Sequence, residues 1–115
     1  MFALFALLAM LHLTAADNGN TYTVQPRTPI VLKLTTATDG GFHWQLKPLD
    51  KSVVRLVSHR FVAHKHKPRV VGTGGMDVWR FRAVGPGVSK IEVVEFPPGR
   101  NVKPDRDFSV TISVS

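Results

Sequence analysis

Paired acids and imidazoles are the residues with the first claim to chemistry in this sequence. Glu92 and Glu95 stand three apart, Asp105 and Asp107 two apart, and His64 and His66 two apart inside the basic run HRFVAHKHKPR from His59 to Arg69. General acid and base work needs two carboxylates on one side of a substrate, whereas a spacing of three on a strand puts Glu92 and Glu95 on opposite faces. Asp105 and Asp107 can share a cation, but calcium takes roughly six to eight oxygens and two carboxylates are too few. His64-x-His66 shares a face when extended, yet no third ligand stands at a convincing spacing, so no metal site is expected. There is no Gly-x-Ser-x-Gly elbow, no His-Glu-x-x-His, no phosphate loop and, with zero Cys, no thiolate nucleophile. The chain therefore reads as a binding protein, with no enzymatic activity and no cofactor.

The elements that must position a binding site have to come from one core. The 115 residues make room for one domain. Residues 1–16, MFALFALLAMLHLTAA, carry no Lys, Arg, Asp or Glu and end in small residues before Asp17. This is the composition of a secretory signal peptide cut between Ala16 and Asp17, although the positive n-region is missing. The stretch is too short to span a membrane, and the other reading is an apolar first helix that stays attached. Export, no stable membrane insertion after cleavage, and a domain over 17–115 follow as expectations, with a periplasmic or secreted location. No disulfide is needed, and no Cys is present to take a lipid anchor. Every charge lies after residue 16, so that domain keeps the formal +7, which attracts acidic partners of any kind.

Beyond residue 20 apolar residues recur at every second position between clusters of Gly, Pro and Asp, the pattern of short antiparallel strands. Ile30, Leu32 and Leu34 form one apolar face, and Phe42, Trp44 and Leu46 the next. Trp79, Phe81 and Ala83 form a third, Ile91 and Val93 a fourth, and Phe108, Val110, Ile112 and Val114 the clearest. With shorter pieces at Tyr22 to Gln25 and Ser52 to Val57 this gives about seven strands, the number of an all-β, immunoglobulin-like sandwich. Turns fall at 26–29, 39–41, 72–75, 85–87 and 97–99. The polar stretch 97–107, with three Pro and five charges, is a loop long enough to carry function.

Three of these loops combine Gly or Pro with aromatics: Thr38-Asp39-Gly40-Gly41-Phe42-His43-Trp44, Gly72-Thr73-Gly74-Gly75, and Phe96-Pro97-Pro98-Gly99-Arg100. Singly they are ordinary hairpin chemistry. Together with the strand pattern the chain resembles, from about Tyr22 to Val114, the chagasin-type inhibitors of papain-like cysteine proteases. Gly41-Phe42-x-Trp44 matches the end of that family's first loop motif, Asn-Pro-Thr-Thr-Gly-aromatic-x-Trp. Gly72-Thr73-Gly74-Gly75, followed by Trp79-x-Phe81, matches its second, Gly-x-Gly-Gly. Phe96-Pro97-Pro98 keeps the central Pro of its third, Arg-Pro-aromatic. The resemblance implies an immunoglobulin-like sandwich whose three adjacent loops enter a protease cleft and inhibit reversibly and non-covalently. It assigns protease contact to Thr38, Asp39, Gly40, Gly41, Gly72, Thr73, Gly74, Gly75, Phe96, Pro97, Pro98 and Arg100, on a monomer whose partner is a papain-like cysteine protease.

Two loops depart from the family pattern. Ala37-Thr38-Asp39-Gly40 stands where the family has Asn-Pro-Thr-Thr, and Asp39 would bring a carboxylate near a thiolate and its imidazolium. Phe96 and Pro98 replace an Arg and an aromatic, both frequent hot-spot types. The alternative is an exported immunoglobulin-like binding or assembly module without protease inhibition. Phe42 and Trp44 read as core, by their alternation. The His59 to Arg69 run reads as a solvated loop or edge, a third and weaker reading being attachment to an anionic polymer or surface. Nucleic acid is not expected, since the basic charge lacks interleaved exposed aromatics or a recognised motif.

Overall fold

The computed structural model describes residues 10–36, 41–63 and 74–115. Within them eight strands run in order: β1 Leu11–Leu13, β2 Thr21–Val24, β3 Pro29–Thr36, β4 His43–Leu46, β5 Val54–Ala63, β6 Gly75–Ala83, β7 Gly87–Phe96 and β8 Arg106–Val114. The helical structure among the described residues is a single 3-10 turn, Ala15–Asp17, capped by the Thr14 side chain. The strands form two four-stranded sheets, β1-β3-β6-β5 and β2-β8-β7-β4. Pairing is antiparallel except for β1 on β3 and β2 on β8.

Alternation places the core where it was expected except at Phe42, which precedes β4 and is half-buried outside the core. Ile30, Leu32, Trp79, Phe81 and Ala83 of the first sheet meet Trp44, Ile91, Val93, Phe108, Val110, Ile112 and Val114 of the second, and all are buried. Trp44 and Trp79 touch edge to face across the two sheets, with ring centroids 6.3 Å apart. The strand count is one above the expected seven, and the extra strand lies inside residues 1–16. Leu11–Leu13 is extended rather than helical, pairs with Ile30–Leu32, and leaves Leu13 only 1% exposed. Strand β5 also runs past Val57, where the apolar pattern stops. The register slips between Leu56 and Ser58, and a bulged residue reverses the alternation, so a strict period of two cannot follow the strand through it.

Candidate functional site

The sheet registers bring the bases of the three loops to one end. Thr36, the last residue of β3, pairs with Gly75, the first of β6, which pairs with Ala63, the last of β5. The segments 37–40 and 64–73 therefore leave the same edge of the first sheet. In the second sheet His43 opens β4 directly opposite Phe96 at the end of β7, and Glu95 faces Arg106 at the start of β8. Hairpin 85–87 belongs to the opposite end, between β6 and β7.

The first and third loops touch. Gly41 has φ of 92°, and a Cβ built there would stand 3.1 Å from the Pro98 side chain, so only glycine brings the backbone this close. Two positions on, the His43 ring stacks on Phe96 with centroids 5.9 Å apart. Phe96 thus serves as the last residue of a strand, half-buried, while Pro98, Gly99 and Arg100 are exposed beyond it. Gly74 has φ of 67°, a conformation costly for any residue with a Cβ. Gly75 serves the fold: a Cβ there would lie 2.4 Å from the Val62 carbonyl oxygen. Thr38, Asp39, Gly40, Gly72 and Thr73, with His64 and His66, lie outside the described residues.

Beneath the loops sits polar chemistry that spacing alone did not reveal. Glu95 is fully buried and accepts hydrogen bonds from Arg106 through Nε at 2.8 Å and Nη2 at 3.2 Å. The same Nη2 donates to the Thr35 carbonyl at 3.0 Å, and the guanidinium lies over Trp44, 5.1 Å from the ring centroid. Arg106 therefore ties β7 and β8, which carry the third loop, to the end of β3, which carries the first. Hydrogen bonding to Glu95 holds its pKa above the ordinary arginine value, so it is charged at every working pH. On the first sheet, buried Asp77 accepts from Thr36 Oγ1 and from His59 Nε2, the latter at 2.6 Å, and the His59 ring lies flat on Trp79 with centroids 4.6 Å apart. Asp77 thus joins the last residue before the first loop to the strand that leads into the second. The signal was present: Glu95 continues the inward series Ile91-Val93, Asp77 opens the inward series Trp79-Phe81-Ala83, and a carboxylate on a core face has to be paired. Glu92 faces the other way and pairs with Lys47 at 3.7 Å. What this end offers among the described residues is a set of loop bases tied to one another by buried polar contacts.

The sequence profile described as Chagasin family peptidase inhibitor I42 matches residues 14–114. Among curated protein sequences nothing matches significantly. Among solved structures the fold is similar to the cysteine protease inhibitor EhICP2 from Entamoeba histolytica, with TM-score 0.80 and 17% identity over 92% of this chain and 96% of that one. It is similar also to amebosin, with TM-score 0.72 and 23% identity over 93% and 99% of the two chains. PbICP-C, solved in complex with falcipain-2, aligns with TM-score 0.66 and 11% identity over 92% and 91%. The two sheets, the three loop bases gathered at one end and the match over residues 14–114 lead to one conclusion: this chain belongs to the chagasin family of peptidase inhibitors and is not an enzyme.

Proposed function

We propose that the chain inhibits papain-like cysteine proteases reversibly and non-covalently, as a monomer, by placing loops 37–41, 72–75 and 96–100 in the active-site cleft. The observation that carries this reading is the contact of Gly41 with Pro98 beside the Thr36–Gly75 pairing, which sets three loop bases side by side. Family membership supports the activity, and the similarity to PbICP-C, itself held in a complex with falcipain-2, supports the partner class. Glycine lets the backbone approach a cleft wall without a Cβ, and proline arrives already ordered, so little entropy is lost on binding. The apolar run ahead of β1 supports action outside the cytoplasm, in a periplasm or after secretion, with the folded domain keeping Leu11–Leu13.

The decisive experiment titrates the purified protein against active-site-titrated papain with a small fluorogenic substrate. Competitive, reversible inhibition with no covalent adduct by mass spectrometry is expected. No inhibition of papain or of any other papain-like enzyme would turn the reading to a binding module. In that case the departures at Ala37-Thr38-Asp39-Gly40 and at Phe96 and Pro98 would have removed protease recognition from the scaffold.

A further inference from the structure

The outward face of the first sheet is a lattice of cations that protease inhibition does not use. Lys33 of β3, Arg55 and Arg60 of β5, and Arg80 and Arg82 of β6 all point away from the core and are exposed. Register sets Arg55 directly opposite Arg82, while Val78 lies between Lys33 and Arg60. The backbones of Arg55 and Arg82 are therefore about 5 Å apart across the strands, those of Arg80 and Arg82 about 7 Å apart along β6, and those of Lys33 and Arg60 about 10 Å apart across β6. The acidic residue on these four strands is Asp77, which is buried on the inner side. None of the five makes an ion pair or side-chain hydrogen bond with another described residue. At the end remote from the three loops the lattice closes on a shallow cavity where Arg27, Arg55 and Arg82 meet Leu56, Val57 and Val84. Arg27 is held there in the left-handed region, φ 75°, by a hydrogen bond from its backbone N–H to the Ala83 carbonyl. Like charges directly opposite on a sheet destabilise it, so the Arg55–Arg82 pair costs the free protein stability.

We propose that this face and its three-arginine cavity bind a linear sulfated polysaccharide. Guanidinium groups match oxyanions in two-point geometry, and four of the five cations on the face, with all three at the cavity, are arginines. Leu56, Val57 and Val84, each at least 40% exposed, give the cavity an apolar wall suited to the C–H face of a sugar ring. Other polyanions fit less well. The face carries no aromatic ring for base stacking and no helix or ribbon that enters a groove. Val31 and Val78, among the cations, are buried and give a membrane nothing to hold. Because the cavity and the inhibitory loops lie at opposite ends, a chain held on a sulfated polymer keeps its loops free.

The test uses the full chain and fluorescein-labelled heparin, followed by anisotropy across a salt series, with poly(dT) and phosphatidylserine vesicles as competitors. Arg55→Thr/Arg82→Thr should weaken heparin binding at least tenfold at 0.15 M salt and flatten its salt dependence, while melting at or above the parent temperature. Lys47→Thr/Lys90→Thr removes the same charge from the other sheet and should change binding less than twofold. Papain inhibition, measured in parallel, should be the same in the parent and both variants, so a failed inhibitor reading and a failed polysaccharide reading give different results. Three results would each overturn the proposal: no binding at 0.15 M salt, equal losses in the two double variants, or poly(dT) or vesicles displacing heparin at lower anion concentration than heparin itself.

Discussion

At the scale of single residues, the candidate site rests on two buried carboxylates, Glu95 and Asp77, each answered by side chains of other strands. Glu95 is 0% exposed and accepts from the Arg106 guanidinium, which reaches both sheets. Removing that guanidinium leaves a buried charge behind, so Arg106→Ala should destabilise the fold by about 3 kcal/mol in urea denaturation. The Arg106→Met/Glu95→Leu double variant, which removes both charges, should recover much of that loss. A strict sum of the two single losses in the double variant would show that the pair is not coupled. The alternation Ile91-Val93-Glu95 already told that Glu95 faces the core, and Trp79-Phe81 told the same of Asp77. It could not tell which residue answers either one. Arg106 is eleven positions from Glu95 across a hairpin and Thr36 is forty-one from Asp77, so the pairing depends on sheet register, which a single sequence leaves open.

At the scale of elements, the ends of strands decide how well the site is held, and the N-terminal strand is the test case. The alternation over residues 30–34, 79–83 and 108–114 was legible because those strands keep one face in the core throughout. Strand β1 was not, because it follows directly on an unbroken apolar run from Phe2 to Leu11 that has no period to read. In the fold Leu13 lies in the core, and just after it the Thr14 backbone N–H donates to Asp17 at 2.8 Å. A protein beginning at Asp17 should therefore melt about 10 °C below one beginning at Met10, the loss of one fully buried Leu and its strand. Equal melting temperatures would show that β1 adds nothing to the folded domain. Asp17 also accepts a hydrogen bond from the Tyr22 hydroxyl, which, ahead of the Thr14 N–H, holds its carboxyl below the ordinary value of about 3.9. A depressed folded pKa gives stability that is complete above the unfolded value and lost as pH falls through the folded one. The melting-temperature gap between the parent and Asp17→Asn should thus be constant above about pH 5 and shrink as pH drops below about 3.9. A gap that widens in acid would contradict the Tyr22 contact.

At the scale of the whole molecule, the sandwich separates two surfaces, and the separation makes the inhibitory reading testable without disturbing the fold. The described bases of the 37–41, 72–75 and 96–100 loops share one end because β3 and β7 run toward it and β4, β6 and β8 start from it. Lys90 lies exposed on β7 opposite Thr111, away from that end. Gly74→Glu adds a long charged side chain where the proposed wedge would bring backbone up to a protease, and the left-handed φ of 67° adds strain of about 1–2 kcal/mol. Its melting temperature should accordingly fall by several degrees while the protein stays fully folded at 25 °C. Its inhibition constant against papain should rise at least thirtyfold, a loss of about 2 kcal/mol, in the range of interface hot spots. Lys90→Glu should keep both the parent melting temperature and the parent inhibition constant. Strain and binding are separated by Gly74→Asn, which tolerates the left-handed region and is short and uncharged, and which should regain most of the stability and at least part of the inhibition. If Gly74→Glu inhibits as well as the parent while Lys90→Glu fails, the cleft-facing surface is not the loop end, and the side of the second sheet has to carry the contact instead.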